Sequence, residues 1–167
     1  MYDFLFLIFL LVLVTFAYGG LSAAPWLPTF NKDIKRILEL VDIKKGDVFY
    51  DLGCGDGRVL RLASSQGAEA IGFEVSLLPF VIAHIKKIFT KDKFTIKFKS
   101  FWDVDLQDAD IVYIYLLPKS YPKLKEKLKK ELKKGTKIIT STWKIEGWDI
   151  KKTNKKIGSS SFYLYEI

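Results

Sequence analysis

The sequence predicts an α/β fold: a mostly parallel sheet that ends in a C-terminal antiparallel hairpin and is preceded by one N-terminal transmembrane helix. Three observations predict it. From Val48 onward, short apolar runs alternate with helical patterns, as in βα repeats whose sheet is covered on both faces. A glycine-rich turn joins the first of these runs to the first helix after it, where open α/β sheets bind ligands. The stretch from Phe4 to Ala24 contains no charged residue.

As a helix, that stretch rises about 31 Å, the thickness of a bilayer's hydrocarbon core. Ser22-Ala23-Ala24 resembles a signal-peptidase site, but no Lys or Arg precedes the apolar run, and Pro25 follows the supposed cut. A secretory signal needs a basic leader, so an anchor over 1–24 and a soluble domain over 25–167 are expected. Asp3 precedes the span, and Lys32, Lys35 and Arg36 follow it closely. Positive residues stay in the cytoplasm, so a single-pass protein with its domain facing the cytoplasm is expected.

Asn31 is placed to cap a helix whose apolar face is Ile34, Ile37, Leu38 and Val41. Val48–Leu52 follows as a buried strand, then a helix from Gly57 to Ser65 and a strand over Ala70–Phe73. Ser76 caps the next helix, with Pro79 in its first turn and Ile82, Ile85 and Phe89 expected on its inner face. Phe94–Phe98 is a third strand, and Ile111–Leu117, the most apolar, a central fourth. Lys119–Lys134 forms a helix with Tyr121, Leu124, Leu128 and Leu132 on one face, and Lys137–Thr142 forms a fifth strand. The stretch from Trp143 to Trp148 is too short for a crossover helix, so Asp149–Lys156 and Phe162–Ile167 pair as a hairpin around Gly158-Ser159-Ser160.

Composition narrows the chemistry. Cys54 is the only cysteine and His84 the only histidine, which excludes a disulfide framework and a cysteine-based zinc site; no metal is expected. His84, behind the sheet, reads as structural. The net charge of +8 comes from 24 Lys and 3 Arg. Such a surface suits anionic partners or is simply solvated; the helix from Lys119 to Lys134 carries eight lysines, a basic surface expected to rest against anionic membrane headgroups. The shortage of arginine argues against a base-reading surface, so no specific nucleic acid is expected. Asp103, Asp105, Asp108 and Asp110 form an acidic cluster that serves equally as an attractor for a cationic substrate or as a solvated loop.

The chemistry concentrates in Asp51-Leu52-Gly53-Cys54-Gly55-Asp56-Gly57. Glycine lets a backbone approach a ligand closely, and the helix beyond offers free N–H groups to a carboxylate. The glycines read G-x-G-x-G, not the G-x-G-x-x-G of dinucleotide sites. Glu74 stands 19 residues after Gly55, at the end of the second strand, where it can accept hydrogen bonds from two ribose hydroxyls. Asp51 can accept one from an ammonium group. The set suits a nucleoside that carries an amino acid. Cys54 acts as a small spacer between glycines.

The glycine loop and Glu74 resemble the motifs of class I S-adenosylmethionine (SAM)-dependent methyltransferases. Ala24-Pro25-Trp26-Leu27-Pro28-Thr29 after a single span is similar to the lysine methyltransferases of the ATP synthase c subunit and the ADP/ATP carrier. So are Phe101-Trp102-Asp103-Val104-Asp105-Leu106, Tyr115-Leu116-Leu117-Pro118 and Gly147-Trp148. The resemblance implies a Rossmann-like methyltransferase fold with SAM as cofactor. It implies that Thr29 and its neighbours close over SAM, that Ser100 and Phe101 border the adenine, and that Tyr115 and Leu116 meet the acceptor. The Ser100 position more often carries Asp in that family, so its adenine contact is weaker here. The expected cofactor set is therefore Thr29, Asp51, Gly53, Cys54, Gly55, Asp56, Gly57, Glu74, Ser100 and Phe101. The expected acceptor is a lysine on a membrane protein. A methyltransferase for a small molecule, lipid or RNA, or a non-catalytic SAM-binding protein, would share this outline, because fold does not fix substrate.

Overall fold

The computed structural model describes residues 2–90 and 93–167. It opens with α1 (Tyr2–Ser22), two short helices α2 (Asn31–Ile34) and α3 (Arg36–Leu40), and then β1 (Val48–Leu52). The alternating part comprises α4 (Arg58–Ser65), β2 (Glu69–Glu74), α5 (Leu77–Thr90), β3 (Thr95–Phe98), β4 (Ile111–Ile114), α6 (Tyr121–Glu131) and β5 (Lys137–Ser141). The chain closes with β6 (Lys152–Asn154) and β7 (Phe162–Glu166).

The seven strands run in the order β3-β2-β1-β4-β5-β7-β6. The first five are parallel, and β7 lies antiparallel between β5 and β6. The hairpin therefore extends the sheet as expected, with its last strand on the inside. Phe162 and Tyr165 of β7 are fully buried, whereas β6 is polar and short, as suits a strand left on the edge. Alternating side chains fill two cores, one beneath α6 and one beneath α3, α4 and α5. β1 feeds both, with Leu52 in the first and Phe49 in the second.

Several elements depart from expectation. Phe30, not Asn31, precedes the first turn of α2, and no side chain caps it; the Asn31 side chain lies 3.5 Å from Arg58 Nη1 instead. The single helix expected there is two short ones, broken at Lys35. β4 ends at Ile114 because Tyr115 and Leu116 leave the sheet to line a cavity. Leu132 is buried but lies just past the end of α6. On α5, Ile85 and Phe89 face outward; the residues held against the sheet are Pro79 and Ala83.

The acidic cluster is structural at its far end. Asp110 accepts from the Val48 N–H and pairs with Lys133 at 2.8 Å, at the amino end of the sheet. Lys127 and Lys133 of the α6 region donate to the Val104 and Asp108 carbonyls. This loop is therefore a lysine-clasped connection at the end of the sheet opposite the cavity.

Arg36, which in the sequence counted toward a basic flank, is buried. Its guanidinium pairs with Asp33 at 2.9 Å and donates to Asn154 Oδ1 and the Ser160 carbonyl, tying α3 to the hairpin. Burial opposes the Asp33 charge, yet Arg36 and the Ser160 N–H outweigh it and hold the carboxyl below its usual range. Removing one partner of a buried pair strands the other charge, so Arg36→Ala should lower the unfolding free energy by about 3–5 kcal/mol. A folded pKa below the unfolded value gives stability that is complete above about pH 4 and lost as pH falls through the depressed value. Denaturant titration of the two proteins should show a gap at neutral pH that closes in acid.

Candidate active site

The cavity lies at the carboxyl ends of the parallel strands, where open α/β sheets bind ligands. Its floor is the glycine loop. Gly53 and Cys54 donate their N–H groups to the Phe73 carbonyl at 3.0 Å each, which stitches the end of β1 to the end of β2. Gly55 has φ +54°, and a Cβ there would lie 2.7 Å from Trp26 Nε1. A side chain at this position is excluded twice, by backbone strain and by the indole above it.

Glu74 is held by backbone amides. Its Oε2 accepts from the Gly55 N–H at 2.9 Å, and its Oε1 from Val75 and Ser76 at 2.9 and 2.7 Å. Three amide donors therefore hold the carboxylate at the cavity edge. A carboxylate has about four lone-pair sites, so it keeps capacity for a ligand hydroxyl.

Asp51 differs. It is buried, and among the described residues no hydrogen-bond donor reaches its carboxylate. Burial, with Glu74 and Asp56 nearby, pushes its pKa well above the ordinary value. A buried acid beside two others calls for a cation. Asp56 already has two: Arg58 grips it bidentately at 2.8 and 2.7 Å, and Lys86 lies 2.5 Å away. Burial opposes its charge, but these partners keep its carboxyl below the usual range. Asp56 thus lines the cavity with its charge already committed.

A strap from Ala24 to Thr29 forms the roof. Arg58 donates to the Thr29 carbonyl at 2.8 Å, and the Thr29 hydroxyl shares a 3.0 Å hydrogen bond with Tyr113 Oη. Burial raises the Tyr113 phenol well above its normal range, so it stays protonated. The Trp26 Nε1–H is buried and has no partner among the described residues, which leaves a donor for an anionic or carbonyl group.

The remaining expected residues sort as follows. Thr29, Asp51, Gly53, Cys54, Gly55, Asp56, Glu74, Ser100, Phe101, Tyr115 and Leu116 all line the cavity. Gly57 does not; a Cβ there would meet Phe94 at 3.1 Å, so it serves packing beneath the loop. Cys54 packs on Gly72, whose own Cβ would lie 2.6 Å from its sulfur. Burial, followed by Asp51, raises its thiol pKa. Ser100 Oγ accepts from the Trp102 N–H at 3.3 Å and keeps its own proton to donate. His84 bonds the Phe80 carbonyl on its own helix.

Sequence reasoning missed Arg58 and Tyr113. The Asp56-Gly57-Arg58 spacing was a signal for the first. Tyr113 stands two residues before Tyr115, on the same strand face. It also missed that α1 supplies a wall: Gly19, Ser22 and Ala23 line the cavity. The end of α1 is fastened there by Trp102 Nε1–H donating to Ser22 Oγ at 3.1 Å and by Lys119 donating to the Gly20 carbonyl at 2.7 Å.

The residues fit a zwitterionic nucleoside: an unpaired acid for its cation, an amide-fixed carboxylate for ribose, and a free indole N–H with a helix start for its carboxylate. Comparison with known proteins agrees. The model of the ANTKMT methyltransferase domain matches residues 51–152. A protein-lysine N-methyltransferase of Saccharolobus islandicus is 34% identical over 150 residues, covering 86% of this chain and 93% of that protein. The mouse lysine N-methyltransferase of the ATP synthase c subunit is 24% identical, with 86% of this chain matching 58% of that enzyme. An RNA methyltransferase of Salinibacter ruber, solved with S-adenosyl-L-homocysteine, superposes with a TM-score of 0.77 at 30% identity, covering 84% of this chain and 94% of that one.

The Thr29–Tyr113 contact joins roof to sheet and can be weighed directly. Tyr113→Phe and Thr29→Val should each cost about 1–3 kcal/mol, because each leaves a buried hydroxyl unpaired. The double variant should cost less than their sum. Thermal unfolding of the four proteins measures the coupling; simple additivity would show that the strap is not held here.

Proposed function

Because this chain belongs to the ANTKMT methyltransferase domain family and is a SAM-dependent methyltransferase, we propose that its acceptor is a lysine side chain on a membrane protein. The observation that carries the proposal is the identity to a protein-lysine N-methyltransferase across 93% of that protein's length. That the roof sequence, Tyr115 and Leu116 all line the cavity supports the reading.

SAM brings a methyl group on a sulfonium, already a strong methyl donor. The chain's own residues bind and orient. Asp51 offers its carboxylate to the cofactor's ammonium, Glu74 accepts from a ribose hydroxyl, and Ser100 with Phe101 borders the base. Trp26 and the start of α4 offer N–H groups to the carboxylate. Tyr115 and Leu116 exclude water where the acceptor amine enters. A lysine attacks only when neutral, and an apolar, dry entrance favours that form.

In the same proposal α1 crosses the membrane as a single span, with the domain from Pro25 onward on the cytoplasmic side. Its support is composition: α1 is long and apolar enough to cross, and nearly all of it is exposed. The contacts of Gly19 and Ala23 with the domain make the end of α1 part of the catalytic unit as well.

A second reading has its own support. The Salinibacter ruber protein named as an RNA methyltransferase matches nearly end to end, and the surface is basic. Membranes and RNA incubated with isotopically labelled SAM separate the two. Methyl-lysine on a membrane protein, mapped by mass spectrometry and lost when the gene is deleted, is the expected result. Label in RNA with an unchanged membrane methyl-lysine profile would favour the second reading.

The raised pKa of Asp51 adds a pH signature. A cation binds the ionised form, so SAM affinity should rise with pH through a window displaced upward from the usual carboxylate range. Asp51→Asn should weaken binding and flatten that profile in calorimetry. A profile of the same slope in the variant would assign the dependence elsewhere.

A further inference from the structure

α5 carries an apolar face that the fold does not use. Leu78, Val81, Ile85, Ile88 and Phe89 are all exposed, Ile88 to 73% and Phe89 to 83%. Their spacing places them in one stripe along the helix. Phe98 of the outer strand β3 is half exposed too, its ring 5.0 Å from that of Phe80 on the same helix. α5 contains no acidic residue; of the lysines near the stripe, Lys86 pairs with Asp56, and Lys87 and Lys97 lie over the Phe94 and Phe73 rings.

The stripe lies beside α1, and the two helices are locked together. Val12, Thr15, Gly19 and Ser22 form the one less exposed seam of α1. Thr15 Oγ1 accepts from the Leu77 N–H at 3.1 Å, and a Cβ on Gly19 would lie 2.6 Å from Ser76 Oγ. The junction therefore fixes where the start of α5 sits along α1. Only eleven residues separate Asp3 from Thr15, a rise of about 17 Å against a hydrocarbon core of about 30 Å. A crossing α1 must sink its Thr15–Ser22 end as well, and the start of α5 goes with it. The shortfall is on the order of 10 Å, close to the roughly 5–10 Å to which interfacial helices bury their apolar faces.

Resting on the reading of α1 as a span, we propose that α5 lies in the bilayer interface with Leu78, Val81, Ile85, Ile88 and Phe89 among the acyl chains. α6, the most lysine-rich helix, is not the membrane face, because among the described residues it exposes no large apolar side chain. Lys119, Lys125, Lys127 and Lys133 in and beside it donate to the protein's own carbonyls, and Lys123 lies over Trp102. The domain thus rests on the membrane through its α5 face, with the cavity, walled by the end of α1, at headgroup level.

Spin labelling of the full-length protein in vesicles of phosphatidylcholine and phosphatidylglycerol tests this. Nitroxides go on Ile88→Cys in α5, Leu10→Cys in α1 and Lys130→Cys in α6, all exposed positions; native Cys54 is buried with a raised thiol pKa and does not compete. Collisions with dissolved oxygen report lipid, and collisions with a water-soluble nickel chelate report water. Oxygen should dominate at Leu10 and Ile88, and nickel at Lys130. Lipid at Leu10 with water at Ile88 overturns the α5 proposal and leaves the span intact. A label at Ile88 shielded from both reagents means a second copy or another protein covers α5, and also overturns it. Water at Leu10 removes the span and the proposal together.

Discussion

The site depends on one carboxylate. Glu74 closes β2 and accepts hydrogen bonds from its own following turn and from Gly55 across the cleft. That last bond, between residues 19 apart in sequence, holds the glycine loop in its left-handed turns against the neighbouring strand. With the loop fixed, Trp26 can lie on Gly55, Arg58 can reach the Thr29 carbonyl, and Thr29 can meet Tyr113. Floor, roof and central strand form one connected network, so displacement of any member is felt at the others.

The charges in that network are unequally compensated. Asp56 has two cationic partners; Asp51, a few residues away, has none among the described residues. In the proposed complex, the uncompensated acid stands where the cofactor brings its ammonium. Binding then relieves an electrostatic cost already present in the fold, a common arrangement at functional sites.

Much of this was legible in the sequence because it is local. The G-x-G-x-G loop and Glu74 announce a turn and an acceptor, and two-residue and 3.6-residue periods announce strands and helices. What was not legible depends on what a face meets. Ile85 and Phe89 repeat as a buried face would, but periodicity reports that a face is apolar and not which neighbour covers it. Arg36 counted as a surface charge until its partners, more than 110 residues away, were visible. The α6 lysines looked like a free basic surface, yet several bond nearby carbonyls. Asp105 to Asp110 lie close to the site in sequence and lead to the other end of the sheet. Tyr113 lies buried within β4 and Tyr115 just beyond its end, a difference that alternation alone does not reveal.

The fit of Gly19 against Ser76 leaves no flexible tether between the helix and the pocket it walls. With α1 in a bilayer, the catalytic domain would lose two freedoms that a tethered enzyme keeps: it could neither rise from the surface nor tilt independently of its helix. What would remain is lateral diffusion and rotation about the membrane normal, a search in two dimensions at one fixed altitude. Altitude then becomes a criterion of selectivity in its own right. Two lysines with the same local sequence would be distinguished by their distance from the lipid, because only one of them comes level with the site.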